Sequence, residues 1–450
     1  MRQQDLLIHK LKEYAGSDMY PFHMPGHKRT GDMGFPDPFT MDITEVDGFD
    51  NLHHPEGILK SSMDWAAQVY GADQTYYLVN GSSSGILSAV CGAVPRGGRI
   101  LVSRNCHKSV YHGICLNQLK ASYVYPQEID GLGIQGGILP SDVDMMLKRY
   151  MDTQAVLIVS PTYDGVVSDI KGIAQVVHRA GLPLIVDEAH GAHFRYGEMF
   201  PVSALDLGAD VVIQSVHKTM PSLTQTALLH IRNNRPDRGC YADQERIDRY
   251  IHMVQSSSPS YVLMASLDLC RGWMEGQGAA DYRRTAGAAA RLRAHLPALT
   301  EALGPLDPTR LVVAAPDGFA AQQTLEGHGI FIEMADRGHL VCIPTCMDTP
   351  EDLARLEAAL LALPRAGKAL PMPPPPPLPE QVLSLREALF APREPLPLFR
   401  CAGRVSAQQI APYPPGIPVI APGERIGKKT VAYFQEIGYN MEENIQTVPL

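Results

Sequence analysis

Short apolar runs alternate with longer segments between residues 75 and 230, and this alternation limits the possible folds more than any other feature. Runs that are apolar throughout are typical of strands covered on both faces. Most connections between them are long enough for crossover helices. We therefore predict an α/β domain with a mostly parallel, seven-stranded sheet. The candidate strands are residues 76–79, 99–102, 121–124, 155–159, 183–187, 211–214 and 226–230.

The rest of the chain is predicted to form further domains and a linker. Helical patterns fill residues 244–296, and strand candidates at 310–313, 330–333 and 340–343 flank a helix near Ala320 and precede a helix at 351–363, as in a small α+β domain. Seven prolines in residues 371–379 predict an extended linker. We expect an N-terminal arm (1–50), a large domain (51–262), a small α+β domain (263–365), a Pro-rich linker (366–380) and a C-terminal domain (381–450).

Charge and composition exclude several classes of function. The chain has 39 Lys and Arg residues against 48 Asp and Glu, which gives a net charge of −9. A negative net charge is unfavourable for binding nucleic-acid phosphates. No apolar stretch is long enough to span a membrane, and the N-terminus has the pattern of an amphipathic helix. The eight cysteines form no C-x-x-C pair, and we expect Cys106 and Cys115 to pack as small hydrophobes. A cytoplasmic protein without nucleic-acid or membrane partners is predicted.

A Gly/Ser-rich turn follows the first candidate strand and leads into an apolar helix. It contains Ser82, Ser83 and Ser84 between two glycines. Amide protons at a helix N-terminus, together with three hydroxyls, can bind a phosphate group. A serine N-cap without any ligand explains the same residues equally well.

A second candidate site, residues 187–193, begins at the end of a later strand with Asp187, Glu188, Ala189 and His190. Asp-Glu-Ala-His occurs in one helicase class, but no G-x-x-x-x-G-K-[ST] loop precedes it here. A metal site stays an alternative, although the histidines lack the H-E-x-x-H spacing, and we predict none. In the third interpretation, Asp187 pairs with a positively charged ring nitrogen of a cofactor.

A lysine follows the next strand, in the context Ser215, Val216, His217, Lys218. Any single lysine of this kind can be an ordinary loop residue. A phosphate-binding turn, then a strand-end aspartate, then a strand-end lysine is the layout of fold type I enzymes that use pyridoxal 5'-phosphate. The ordered combination is more specific than any of its parts.

Longer segments resemble the Orn/Lys/Arg decarboxylase family, in its short form without an N-terminal wing domain. The resemblance is dense over residues 20–262 and returns near 404–424. The matching segments are residues 22–28, 42–45, 52–55, 104–109, 160–163, 187–193, 215–218, 255–261 and 413–424.

The resemblance implies a role for each candidate residue. Lys218 would bind the cofactor covalently, Asp187 would pair with its ring nitrogen, and His107 would stack on its ring. The phosphate and the remainder of the cofactor would be held by Ser82, Ser83, Ser84, Ala189, His190, Ser215 and His217. By analogy with the family dimer, Ser256 or Ser257 would reach the phosphate from the neighbouring subunit. We expect a homodimer or a dimer of dimers.

The implied reaction is decarboxylation of arginine, lysine or ornithine to the corresponding amine. A PLP-dependent aminotransferase stays an alternative, because such enzymes clamp the substrate carboxylate with an arginine and Arg404 and Arg425 lie in the C-terminal matching region. A non-catalytic protein with this fold is a second alternative. A cationic substrate needs a carboxylate in the pocket, since an unpaired buried charge is costly. The candidates, unranked, are Glu45, Asp47, Glu333, Asp336 and Glu424.

Overall fold

A computed structural model describes residues 7–29, 34, 37–129, 134–233, 241–296, 305–364, 373, 376–412 and 418–449. The strands in chain order are β1 (Tyr20–Phe22), β2 (Gln74–Leu78), β3 (Arg99–Ser103), β4 (Lys120–Val124), β5 (Glu128–Ile129), β6 (Ile134–Gln135), β7 (Thr153–Val159), β8 (Leu184–Asp187), β9 (Val211–Gln214), β10 (Ala227–Ile231), β11 (Leu311–Ala314), β12 (Ile330–Ile332), β13 (Met334–Ala335), β14 (His339–Cys342), β15 (Glu394–Pro397), β16 (Val405–Ser406) and β17 (Asn444–Val448).

Helices connect most of these strands. In chain order they are α1 (Leu7–Ala15), α2 (Pro38–Met41), α3 (Ile58–Tyr70), α4 (Gly81–Ala93), α5 (Lys108–Leu116), α6 (Pro140–Arg149), α7 (Ile170–Arg179), α8 (Ala204–Leu207), α9 (Val216–Thr219), α10 (Gln244–Val254), α11 (Tyr261–Trp273), α12 (Ala279–His295), α13 (Gly318–Gly327), α14 (Pro350–Ala362), α15 (Leu385–Phe390) and α16 (Lys428–Glu436). A π-helical turn at Met274–Gly278 joins α11 to α12.

The central sheet has seven strands in the order β2-β10-β9-β8-β7-β3-β4. All pairs are parallel except the two that involve β10, which is antiparallel to β2 and to β9. Each of the seven predicted strands is present with ends shifted by at most a few residues. The predicted mostly parallel, seven-stranded α/β fold is therefore confirmed.

Helices cover both faces of the sheet, which explains why its strands are mostly apolar. Ile86 of α4 and Ile247 of α10 pack on one face, where they share a buried cluster with Ile213 of β9. Val177 of α7 packs on the other face with Val212 of the same strand. Successive residues of one strand thus enter two separate cores, as the two-residue period of a strand requires.

A smaller unit follows α12. Strands β11, β14 and β13 form an antiparallel sheet with α13 and α14 nearby, as the sequence predicted for an α+β region. The predicted strand at 330–333 does not join that sheet. Residues Ile330–Ile332 pair instead with Tyr20–Phe22, so a segment of the predicted N-terminal arm is attached to the small domain. The exact domain boundaries stay a prediction.

The C-terminal region contains a three-stranded sheet, β15-β17-β16, and helices α15 and α16. Its own core includes Leu398, Ile420 and Phe434. Most of the predicted Pro-rich linker, residues 366–372 and 374–375, lies outside the described residues, as do residues 413–417 of the resembling segment.

Three further observations concern the described residues alone. Seven cysteines, Cys106 and Cys115 among them, are buried free thiols, while Cys240 lies outside the described residues. No described helix combines the length and the apolar character that a membrane crossing requires. No cluster of three or more His, Cys, Asp or Glu side chains suited to a metal ion occurs in the described ranges.

Candidate active site

The three sequence segments that predict a cofactor site meet at one edge of the central sheet. Asp187 is the last residue of β8 and lies opposite Ile213 of β9, so the segment after β9 begins beside it. Strand β2 is antiparallel to β10, which is antiparallel to β9, so β2 and β9 run in the same direction. The carboxyl ends of β2, β8 and β9 therefore share one edge, where ligands bind in sheets of this type.

The turn after β2 is the segment predicted to bind a phosphate. Helix α4 starts at Gly81, and within the described part of the chain no side chain caps its N-terminal amides. Ser215, which follows β9, donates a hydrogen bond from Oγ to Ser82 Oγ at 2.7 Å. Ser83 is exposed, whereas the hydroxyl of Ser84 donates to the carbonyl of Gly81 at 2.7 Å. Ser82 and Ser83 can thus offer hydroxyl hydrogens to an anion, Ser215 orients the Ser82 hydroxyl, and Ser84 stabilises its own helix.

Asp187 and Lys218 are two ionisable groups close to each other at the centre of the site. Asp187 is 5% exposed, and its Oδ1 accepts a hydrogen bond from the amide of Ala189 at 3.2 Å. Burial raises the pKa of Asp187, and the nearby Lys218 charge opposes that rise. Burial lowers the pKa of Lys218, and Asp187 opposes that fall. Each group is therefore the main electrostatic partner of the other in a poorly solvated site.

His190 is placed directly against the predicted cofactor lysine. Its Nε2 lies 3.0 Å from Lys218 Nζ, and the ring is packed edge-on against Tyr163 with 5.4 Å between ring centroids. Burial lowers the pKa of His190 well below its usual range, with Lys218 the next contribution. His190 is thus a buried neutral imidazole in contact with Lys218.

His107 stands at the N-terminus of α5. Its Nδ1 accepts a hydrogen bond from the amide of Ser109 at 3.2 Å, which makes the imidazole the cap of the helix. Burial by the surrounding protein, with a further contribution from the Lys218 charge, lowers the pKa of His107 to about 4. His107 is therefore neutral near pH 7, with a fixed ring beside the Lys218 site.

The remaining predicted residues lie around this centre. His217 donates from Nδ1 to the carbonyl of Thr226 at 2.8 Å, and burial lowers its pKa to about 4. Ser256 and Ser257 are exposed, and the amide of Ser256 donates to Asn80 Oδ1 of the same chain at 3.1 Å. This contact places the Ser256 segment beside the phosphate-binding turn. A contribution of Ser256 or Ser257 to a neighbouring subunit stays a prediction.

Arg310 is a site residue that the sequence analysis missed. It directly precedes β11, is 3% exposed, and donates from Nη2 to Nδ1 of His190 at 3.2 Å. Its charge also contributes to lowering the pKa of Lys218. A lone arginine before a strand of another domain gives no sequence signal of this position.

The structure ranks the five candidate carboxylates. Glu333 is half-buried, accepts hydrogen bonds from the Tyr163 hydroxyl at 2.5 Å and the Met24 amide at 2.8 Å, and acts on the pKa of Lys218. Asp336 binds the amides of Gly338 and His339.

The other three candidates are less suited to the pocket. Glu424 is buried in an ion pair with Arg104, at 2.7 Å. Glu45 and Asp47 are exposed. Glu333 is the candidate closest in character to a substrate-binding group.

The two arginines considered for an aminotransferase are both paired with carboxylates in the C-terminal region. Arg404 forms an ion pair with Glu394, and Arg425 lies 2.8 Å from Glu380. Neither therefore presents a free guanidinium to the Lys218 site.

Comparison with known proteins agrees with this layout. A sequence profile described as Orn/Lys/Arg decarboxylase, major domain, matches residues 6–312, and one described as Orn/Lys/Arg decarboxylase, C-terminal domain, matches residues 379–445. The chain belongs to the Orn/Lys/Arg decarboxylase family. The family and the decarboxylase class predicted from the sequence are thereby confirmed.

Individual relatives cover nearly the whole chain. The Bacillus subtilis protein YaaO, named as uncharacterized, is 33% identical over 480 residues, which cover 98% of this chain and 95% of the relative. Arginine decarboxylase of Bacillus cereus is 33% identical over 450 residues, 93% of this chain and 96% of the relative. The structure of Francisella novicida lysine decarboxylase LdcF is similar with a TM-score of 0.77 over 98% of this chain and 80% of that one, at 20% identity. This structural similarity concerns the fold.

Decarboxylases of this family and enzymes of this fold use pyridoxal phosphate, the cofactor predicted from the sequence. The residues present fit that group. Lys218, Asp187 and the Ser82–Ser215 hydroxyl pair offer an amine, a buried carboxylate and an anion site at one sheet edge. These are the three kinds of contact that an aldehyde, a ring nitrogen and a phosphate require.

Proposed function

We propose that this protein is a pyridoxal phosphate-dependent decarboxylase of a basic amino acid, with arginine as the preferred substrate. The observation that carries the proposal is the meeting of Lys218, Asp187 and the phosphate-binding turn at one edge of the sheet. The choice of arginine is supported by the Bacillus cereus relative, which is named arginine decarboxylase and aligns over 96% of its length.

When bound, pyridoxal phosphate supplies an aldehyde for the substrate amine and a ring that accepts the electron pair left behind as carbon dioxide departs. Lys218 would provide the amine that holds the cofactor at the end of this sheet edge. The buried Asp187 would hold a proton on the ring nitrogen by opposite-charge stabilisation. Ser82, Ser83 and the amides of α4 would bind the phosphate, with Ser215 holding the Ser82 hydroxyl in place.

His107 and Glu333 have separate tasks in this proposal. His107 presents a neutral ring for stacking, fixed by its bond to the Ser109 amide. Glu333 pairs with the cationic end of the substrate side chain, because a guanidinium deprived of water needs a carboxylate partner. Its two oxygens each accept one hydrogen bond within the chain, and a carboxylate has further acceptor capacity.

The test is a substrate panel. The full-length protein, loaded with pyridoxal phosphate, is incubated with arginine, lysine, ornithine, leucine and glutamate, and the carbon dioxide and amine released are measured. We expect release from arginine above all, none in Lys218→Ala, and a loss of more than about a thousandfold in Asp187→Asn, since a buried charge partner contributes several kcal/mol. Release from leucine or glutamate, with none from the three basic amino acids, would reject the proposal.

A further inference from the structure

A chain of two hydrogen bonds links a buried arginine to the cofactor lysine. Arg310 Nη2 lies 3.2 Å from His190 Nδ1, and His190 Nε2 lies 3.0 Å from Lys218 Nζ. Arg310 reaches this place because Gly165, with a φ of +90°, carries no side chain. A Cβ there would lie 2.7 Å from Arg310 Cβ. The position of Arg310 beside His190 thus depends on the glycine at residue 165.

The first hydrogen bond fixes the proton on the imidazole. A guanidinium has N–H donors and no acceptor, so Nδ1 of His190 must accept. The neutral imidazole carries one proton, which is therefore on Nε2. Burial, which lowers the pKa of His190 well below its usual range, keeps the ring in this neutral form.

The second hydrogen bond then determines the protonation of the lysine. Nε2–H of His190 points to Lys218 Nζ and can only donate. A neutral amine has a lone pair that accepts this hydrogen, whereas an ammonium has none. A protonated Lys218 would place two donors against each other at 3.0 Å.

We infer that Arg310 is a positioning residue which, through the tautomer of His190, holds Lys218 as a neutral amine. The inference rests on the proposed function, in which Lys218 carries a carbonyl cofactor. Only the neutral amine attacks a carbonyl carbon: its lone pair forms the new C–N bond, and the carbonyl oxygen leaves as water with the two hydrogens of the amine. Arg310 thereby keeps Lys218 ready for attachment near pH 7.

Several charged groups face Lys218, and their direct influence on its pKa must be separated from the influence of Arg310 through His190. The carboxylates favour the ammonium form, while burial and the guanidinium charge oppose it. Three histidines lie close enough to interact with the same group. The titratable and charged groups around Lys218 are Asp187, Glu333, Arg310, His107, His190 and His217.

The experiment measures the pKa of Lys218 in the full-length chain freed of cofactor. The protein is methylated with formaldehyde and cyanoborohydride across a range of pH, and mass spectrometry of the Lys218 peptide gives the labelling rate. We expect the pKa of Lys218 to rise by about one unit or more in Arg310→Met, which lowers the labelling rate roughly tenfold at a pH below the pKa. Arg310→Lys, which keeps a charged donor, should restore much of the rate.

A double-mutant comparison separates the route through His190 from the direct effect of charge. In a His190→Phe background, Arg310→Met should change the labelling rate of Lys218 only slightly. An undiminished effect in that background would overturn the inference, as would an unchanged pKa in Arg310→Met. Arg271→Met is the matched control, because Arg271 is a buried arginine that binds Asp268 and Glu275 instead.

A second measurement requires no Arg310 variant. In cofactor-free protein with ¹⁵N-labelled histidine, the His190 signals, assigned by their loss in His190→Phe, should show a protonated Nε2 and an unprotonated Nδ1. A protonated Nδ1 would overturn the inference even if every Arg310 variant failed to fold. Neither measurement involves decarboxylation. A result that contradicts the role of Arg310 can therefore be told apart from a result that contradicts the proposed decarboxylase activity.

Discussion

At the scale of single residues, the selectivity proposed for this enzyme depends on Glu333. Its carboxylate contacts Tyr163, whose ring packs on His190, so it is joined to the group that contacts Lys218. A carboxylate in this position favours a cationic substrate over a neutral one of similar size. The same charge gives a neutral side chain no advantage, which makes the role testable by comparing substrates.

We expect Glu333→Gln to lower kcat/KM for arginine roughly 10- to 150-fold. This corresponds to about 1.5–3 kcal/mol of lost transition-state stabilisation, as for loss of a hydrogen bond to a charged group. Glutamine keeps an acceptor for the Tyr163 hydroxyl but loses the one for the Met24 amide, so thermal unfolding of the variant is measured as well to separate a loss of stability from a loss of recognition. The measurement is steady-state decarboxylation of arginine beside a neutral analogue of equal length.

The control for this prediction is Asp336→Asn. Asp336 binds the Gly338 amide and lies 2.9 Å from the His339 ring, so its loss should leave selectivity unchanged. If Glu333→Gln reduced turnover of arginine and of the neutral analogue by the same factor, Glu333 would not be the residue that recognises the cation.

At the scale of secondary-structure elements, the proposed function gives one side chain, at the N-terminus of α5, a part in both helix stability and cofactor binding. His107 caps the helix with Nδ1 and presents its ring to the site. Asparagine and phenylalanine each retain one of these two properties. Asparagine is a good N-cap without an aromatic ring, and phenylalanine is a ring without a cap.

We therefore expect the two substitutions to have opposite effects. His107→Phe should lose about 0.5–2 kcal/mol of stability, as for an N-cap deletion, while keeping most of its affinity for pyridoxal phosphate. His107→Asn should keep its stability and bind the cofactor more weakly by about 0.5–1.5 kcal/mol, roughly 2- to 12-fold. Thermal unfolding of cofactor-free protein and cofactor titration measure the two quantities. Equal cofactor affinity in wild type and His107→Asn would contradict ring stacking.

The elements also show which parts of the fold were predictable from sequence. The seven central strands were found because burial on both faces makes most of them largely apolar runs, which is a local signal. The pairing of Tyr20–Phe22 with Ile330–Ile332 was not predicted, because it joins two short strands from distant parts of the chain. Local pattern therefore predicts an element better than it predicts the partner of that element.

The same distinction applies to the site. Asp187, Lys218 and the serines of the turn follow strands of one parallel sheet, so their convergence could be predicted from strand order. Arg310 enters the site from another domain, and its position depends on packing against Gly165. Only the three-dimensional contacts show that Arg310 lies at the site, and the sequence around residue 310 does not indicate it.

At the scale of the whole molecule, one buried ion pair ties the C-terminal region to the active-site region. Arg104 Nη1 and Nη2 lie 2.7 and 2.8 Å from the two oxygens of Glu424, and both side chains are almost fully buried. Nη2 also donates to the Val419 carbonyl at 3.1 Å, and Glu424 accepts from the Ala421 amide at 2.7 Å. His107 follows Arg104 by three residues, so C-terminal contacts support the segment that carries the stacking ring.

We expect Glu424→Gln to destabilise the protein by about 3–5 kcal/mol, because removing one partner leaves the Arg104 charge buried without its counter-ion. The double variant Arg104→Met/Glu424→Leu should lose less stability than Glu424→Gln, since both charges are gone and apolar side chains fill the space. Urea unfolding gives the free energies, and limited proteolysis shows whether the C-terminal region detaches first. The exposed Arg425–Glu380 pair is the control, and Glu380→Gln should cost no more than about 1 kcal/mol. If Glu424→Gln were as mild as Glu380→Gln, the buried pair would not hold the two regions together, and packing around Ile420 and Ala421 would have to do so instead.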